Sequence, residues 1–328
     1  MVHVGGVVTI DQLKTDGFGV FGNYSKETTT AYGNSLFDNQ QVTYDKSKWT
    51  YSPLKFWPSD GHIDFLAYAP YDKSTKLTDG SKINNFIVSK TIADQTDLLW
   101  TNATSSISAD LTSTKEKVNF HFYHALSRLG YTVKLSGNYS PDNVTFTLKK
   151  ITLAGSPTDA TKGAFYTSGT IDLSKKNKKG DLWSNQTGQQ YFDWFSGNYQ
   201  VKSSTASHPD ETNKDKDYLF VIPQNFSKNI GTEEHPVENP NKLYVIVEYE
   251  VTYKSGTQTS ITNKVYKQIT TNFLQGTAYK LNLTLGLPIE FDVDVTGGID
   301  AGVEGWGTDE EINIGSNDNN PWDGIESK

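Results

Sequence analysis

The sequence predicts an all-β chain folded as two β-sandwich domains, and three observations predict it. Aromatic residues make up 12%, with 18 Tyr, 16 Phe and 7 Trp set among abundant Thr, Asn, Ser and Gly, a balance that favours strands and turns over helices. Apolar residues recur at every second position in several segments, which is the period of a pleated strand. At 328 residues the chain is longer than one core readily supports, so two domains are the natural division. Few windows support a long amphipathic helix.

Taken in order, residues 7–10 and 18–21 are short apolar runs that suit buried strand ends. Residues 42–44 and 49–51 read as two arms of a hairpin closed by residues 45–48. Residues 56–70 spell out a turn and then a strand. Pro58, Asp60 and Gly61 supply turn chemistry, Ile63, Phe65, Ala67 and Ala69 share one face, and His62, Asp64, Leu66 and Tyr68 share the other. Pro70 ends the strand because it cannot donate to a ladder. Short strands follow at residues 83–89 and 97–100.

Between residues 118 and 135 the alternation changes phase. Val118, Phe120, Phe122 and Leu126 hold even positions, whereas Leu129, Tyr131, Val133 and Leu135 hold odd ones. A one-residue slip moves every side chain to the opposite face, so the chain must bulge or bend between Leu126 and Leu129. Two readings fit: a bulge inside one sheet, or a crossing between two domains. The second divides the chain into an N-terminal sandwich (1–127), a C-terminal sandwich (128–308) and a polar tail (309–328).

Beyond the break, residues 144–153 are expected to pair with residues 131–135 across the turn at 136–143, and strands are expected at 170–173 and 217–223. Leu243, Val245, Val247, Tyr249, Val251 and Tyr253 alternate strictly, a strand of roughly 35 Å at about 3.3 Å per residue. Tyr279, Leu281, Leu283, Leu285 and Leu287 repeat the pattern, and so do Ile289, Phe291, Val293 and Val295 after Pro288.

The formal net charge is −8, spread along the chain, which argues against nucleic acid as a partner. Arg128 is the only arginine, so guanidinium forks for phosphate are scarce. There is no cysteine, which excludes disulfides, thiol catalysis and thiolate metal sites. No window of 18 apolar residues is present.

Candidate chemistry is thin. His121 and His124 are three apart on a strand pattern and point to opposite faces, so they cannot clamp one metal. Asp292 and Asp294 share a face, but carboxylates on the wet side of a strand need no catalytic role. The run at 318–323 lacks the spaced acidic pattern of a calcium loop, and the basic stretch at 175–179 reads as a solvated loop. Trp183, Tyr191, Phe192, Trp194 and Phe195 admit two readings: aromatics folded under a long loop, or a face for stacking on sugar rings, with Trp183 and Trp194 as the glycan contacts. Seven Asn-x-Ser/Thr sequons lie at Asn23, Asn102, Asn138, Asn143, Asn185, Asn225 and Asn282. With no phosphate loop, no Gly-x-Ser-x-Gly and no metal quartet, no catalytic residue, cofactor or metal is predicted.

Several segments together resemble the fimbrillin family of Bacteroides-type bacteria, the subunits of type V pili and their relatives. They are Leu-Lys-Thr-Asp-Gly-Phe-Gly-Val-Phe at 13–21, Trp-Thr-Tyr at 49–51 with Phe-Trp-Pro at 56–58, Asp-Phe-Leu-Ala-Tyr-Ala-Pro at 64–70, Asp-Leu-Leu at 97–99, residues 118–128 with Phe-Tyr-His-Ala-Leu-Ser at 122–127, and Gly-Thr-Ala-Tyr at 276–279 followed by the alternating strand and Trp306. The resemblance implies two transthyretin-like domains with Greek-key-type antiparallel sheets. It implies a structural or tip subunit at the cell surface, exported to the outer membrane through a lipid anchor that this cysteine-free sequence does not carry. It also implies partnership with other pilus subunits by strand donation, in which an unpaired edge supplies backbone hydrogen bonds. In the tail, Ile312 and Ile314 are the apolar residues in phase for such a strand. The competing expectation is a monomeric surface glycan-binding lipoprotein module, and host or bacterial surface glycans or proteins are the expected adhesion partners.

Overall fold

The structure, a computed structural model, describes residues 7–46, 48–55, 60–104, 118–176, 181–212 and 217–287, together with the backbone of 291–298 and 309–310. Strands dominate. In chain order they are β1 (Phe18–Ser25), β2 (Phe37–Asp45), β3 (Lys48–Thr50), β4 (His62–Ala69), β5 (Lys82–Ile87), β6 (Leu99–Thr104), β7 (Tyr123–His124), β8 (Ser127–Leu135), β9 (Val144–Ala154), β10 (Ser168–Asp172) and β11 (Trp183–Thr187). They continue with β12 (Phe192–Val201), β13 (Leu219–Val221), β14 (Gln224–Asn225), β15 (Asn229–Gly231), β16 (Pro236–Glu238), β17 (Tyr244–Tyr253), β18 (Thr259–Gln268), β19 (Asn272–Phe273), β20 (Ala278–Leu285), β21 (Phe291–Gly298) and β22 (Asp309–Glu310).

The run expected to be a strand end at residues 7–10 instead leads into a short helix, α1 (Ile10–Asp16). Thr9 caps it by accepting the Gln12 N–H at 3.2 Å, and the Gly17 N–H closes onto the Leu13 carbonyl at 2.8 Å. Thr and Gln three apart is a helix-start signature that the apolar run obscured.

A six-stranded sheet of order β3-β2-β1-β4-β6-β7 organises the first third of the chain. The expected hairpin is present, with Thr43 opposite Thr50 and Asp45 opposite Lys48. Before β4, Gly61 takes φ 72°, and a Cβ there would lie 2.4 Å from the Ser25 carbonyl oxygen, so only glycine fits that turn. Pro58 lies outside the described residues. β4 alternates as expected and ends before Pro70, yet neither face is wet, for all eight of its residues are buried. Ile63, Phe65, Ala67 and Ala69 join a core with Val8 and Phe18, whereas Leu66 and Tyr68 join a larger core with Phe21, Trp100 and residues of the later strands. Each face of this sheet therefore builds a different core.

The phase change at residues 125–128 is a change of sheet. β7 closes the six-stranded sheet, and β8 belongs to a five-stranded one of order β13-β8-β20-β21-β22. Across that point the larger core is continuous, and β5 pairs with β10 in a three-stranded sheet of order β11-β10-β5.

One expected pairing is corrected. β9 does not pair with β8; it lies in a four-stranded sheet of order β12-β9-β17-β18, while β8 is in the five-stranded sheet, and both give apolar faces to the larger core. Alternation identifies which side chains share a face, but it does not name the neighbouring strand. The sheets are also not wholly antiparallel, because β8 and β20 run parallel from Arg128 opposite Ala278 to Leu135 opposite Leu285. β17 and β20 bury the residues the alternation assigned inward, including Val245, Val247, Tyr249, Leu281 and Leu283. On the outer face of the four-stranded sheet, Lys264 meets Glu248 at 3.3 Å and Lys150 meets Asp193 at 2.9 Å, a row of alternating charge that keeps this face wet.

Tyr68 offers a pH test of this packing. Its hydroxyl lies 2.8 Å from Asn39 Oδ1 and 2.7 Å from the Asp72 carbonyl oxygen, and burial pushes its pKa up from 10.0 to about 12. The folded state thus holds the phenolic proton more tightly than the unfolded chain. Stability from this group is complete below pH 10 and is lost as pH rises to about 12. Two units correspond to on the order of 2–3 kcal/mol. Urea denaturation from pH 9 to 12 is expected to show a shallower alkaline loss for Tyr68→Phe than for the wild type; parallel curves would refute the assignment.

Candidate assembly site

The N-terminal segment is held at the junction of the two cores. Val7 packs against the larger core and Val8 is buried in the smaller one. The Val8 N–H donates to Asp97 Oδ2 at 2.9 Å, while Asp97 Oδ1 lies 2.8 Å from His124 Nδ1. A carboxylate only accepts, so His124 carries its proton on Nδ1 toward Asp97. Both side chains are buried. Their positions follow from the sheet: Asp97 stands two residues before β6, and His124 on β7 lies opposite Leu99. The Ala125 N–H also donates to the Leu98 carbonyl at 2.8 Å. The result is a buried clasp of an acid, a histidine and one backbone amide.

A second clasp of the same kind lies on β4. His62 Nε2 is 3.0 Å from Asp64 Oδ2, which also accepts the Ala31 N–H at 2.7 Å from the polar loop between β1 and β2. The expectation that residues 62 and 64 share a face holds, and that shared face carries this pair.

Beside the larger core lies a cleft of about 970 Å³. β5 supplies one wall through Ile83, Phe86 and Ile87, and Tyr68 and Leu98 supply others, with Asp16, Asp72 and Asp94 also in the lining. β5 pairs only with β10 among the described strands, so its second edge carries no ladder. Ile87 is 67% exposed. A cleft of mixed polarity, with apolar patches beside a strand edge that has no partner among the described strands, has features suited to receive an extended segment.

The predicted site residues are not gathered here. Trp183 lies on β11 and Trp194 on β12, in different sheets, so the segment expected as a long loop is two strands. Trp194 is buried, edge-on to Tyr131 at 4.9 Å, and its indole N–H donates to the Asp217 carbonyl at 2.7 Å. Trp183 is half-buried against Phe86, with its N–H donating to the Ala125 carbonyl at 2.7 Å. His121 is exposed whereas His124 is buried. Among the described residues no group of three or more His, Cys, Asp or Glu is placed to hold a metal. The Asn102 amide donates to the Leu173 and Lys175 carbonyls at 2.7 and 3.0 Å, which occupies the nitrogen of that sequon. Ile312, Ile314, residues 318–323 and the side chains of Asp292 and Asp294 lie outside the described residues. Sequence reasoning missed the two clasps; its available signal was an acid directly before the apolar run at 98–100 and a histidine inside the alternating run at 118–126.

The family model described as Fimbrillin-like matches residues 7–306 of this chain. Fimbrium subunit Fim1C of Phocaeicola vulgatus is 26% identical over 344 residues, covering 93% of this chain and 86% of that protein. The crystal structure of a fimbrial protein from Bacteroides vulgatus is similar in fold, with TM-score 0.66 and 22% identity, covering 91% of this chain and 96% of that one.

Proposed function

Because the chain belongs to the fimbrillin-like family, we propose that it is a structural or tip subunit of a fimbrium at the cell surface, assembling by donor-strand exchange and contributing to adhesion. The observation that carries this reading is the family match along nearly the whole chain, from residue 7 to 306. In this reading, residues 1–127 and 128–308 form two transthyretin-like lobes and the subunit is tethered at the outer membrane by a lipid anchor. The β5 edge, unpaired among the described strands and beside a cleft with apolar patches, supports uptake of an extended strand from a second subunit. The donor is the tail at 309–328, with Ile312 and Ile314 as its inward residues.

Incubating the purified protein alone and separating it without boiling is the direct test. A ladder of SDS-resistant oligomers is expected, and deletion of residues 309–328 is expected to abolish it. A ladder that survives the deletion would remove the tail as donor. A protein that stays monomeric under all conditions would favour the isolated glycan-binding module instead.

A further inference from the structure

A second, smaller pocket of about 100 Å³ opens at a gap in the β8 edge. β13 covers that edge only as far as Leu219 opposite Leu129, and the next contact is an isolated bridge between Val133 and Ser207. Between them the β8 edge has no strand partner among the described residues, and side chains line the opening: Arg128, Tyr131, His208, Asp217 and Tyr218. A Cβ on Gly130 would meet the Tyr218 ring at 3.0 Å, so glycine lets that ring close over the strand.

The pocket holds a buried hydroxyl that the packing leaves unused. Tyr131 is 4% exposed, with its ring between Trp194 and His208 at 4.9 and 4.6 Å, yet its hydroxyl has no hydrogen-bond partner among the described residues. A buried hydroxyl left unpaired costs roughly 1–3 kcal/mol, so its persistence needs a reason. His208 is also 4% exposed, and its Nε2 stands 3.7 Å from Asp217 Oδ2, beyond hydrogen-bond length, which leaves acceptor capacity on the carboxylate. Burial, and then the Asp217 charge, push the Tyr131 pKa up, so the phenol keeps its proton and stays a donor. The Arg128 guanidinium, from the only arginine in the chain, lies over the Tyr218 ring at 4.2 Å.

We propose that this pocket binds the edge of a single sugar ring at the end of a glycan chain. This deepens the adhesive part of the function proposed above and rests on it. Neighbouring ring hydroxyls both donate and accept, and the pocket offers a carboxylate acceptor in Asp217 and a donor in Tyr131. The partly exposed Tyr218 ring supplies apolar surface for ring C–H groups. A volume of about 100 Å³ admits roughly three groups the size of a water molecule, which is a ring edge with its hydroxyls and not an oligosaccharide. Trp194 thus contributes from beneath, by backing Tyr131.

Saturation-transfer NMR on the full chain tests this, with the methyl glycosides of glucose, galactose, mannose, fucose and N-acetylglucosamine as probes. At least one is expected to show transfer and saturable binding, with affinity at least tenfold weaker in Tyr131→Phe and in Asp217→Asn. Tyr131→Phe removes only a hydroxyl without a partner, so its melting temperature is expected to equal or exceed the wild-type value, and lost binding cannot then be unfolding. Transfer from none of the five, or binding unchanged in both variants, overturns the proposal. Both variants are expected to form the same SDS-resistant ladder as the wild type. Failure of the sugar site therefore reads separately from failure of the fimbrial role.

Discussion

Asp97→Ala is expected to lower the unfolding free energy by about 3–5 kcal/mol and to release the N-terminal segment. The Asp97 carboxylate is fully buried and uses both oxygens, one for the Val8 N–H at 2.9 Å and one for His124 Nδ1 at 2.8 Å. Hydrogen bonds to a charged acceptor contribute about 1.5–3 kcal/mol each, and alanine removes the acceptor of both. Asp97→Asn retains one acceptor oxygen in nearly the same shape and should lose less. Urea denaturation gives the magnitude, and amide exchange at residues 7–16 gives the location. If exchange at Val8 stays as slow in Asp97→Ala as in the wild type, the clasp does not hold the segment. His124→Ala separates the two halves: it removes one donor while the Val8 contact stays, so a smaller change at Val8 is expected.

Trp194→Ala is the other large effect, expected at about 3–5 kcal/mol by equilibrium denaturation. The indole is 5% exposed, packs edge-on to Tyr131 and donates its N–H to the Asp217 carbonyl, so alanine opens a cavity and leaves that carbonyl without its donor. Trp183→Ala should cost less, since Trp183 is only partly buried, although its bond to the Ala125 carbonyl would go. A Trp194→Ala protein of wild-type stability that had lost only sugar binding would place the ring at the surface and contradict the packing. A destabilised protein with weaker sugar binding is the expected result, because Tyr131 loses its support.

Much of the architecture was legible in particular residues. Val245, Val247, Tyr249 and Val251 alternate because β17 buries one face in the larger core, and Leu281, Leu283 and Leu285 do the same on β20. The slip between Leu126 and Leu129 announced a change of sheet, since one residue reverses every side chain. Other elements left no comparable trace. β18 buries only Val265, so its place is set by its ten-residue ladder with β17 and not by its own apolar pattern. The short helix α1 was signalled by Thr9 and Gln12, but the apolar residues before it read equally well as a strand end.

The candidate sites were less legible than the fold. Val8, Asp97 and His124 are far apart in the chain and meet only because β6 and β7 pair beside the N-terminal segment. Tyr131, His208 and Asp217 converge where β13 stops short along β8, a gap that no local pattern encodes. By itself the sequence determined that the chain is made of strands, which residues face inward, and its resemblance to the fimbrillins, because period, turn chemistry and ordered motifs are local properties. Only the tertiary structure decided which strands are neighbours, that β8 and β20 run parallel, and which polar groups meet in buried ground. Pairing is set by the mutual burial of whole faces, which depends on residues far along the chain.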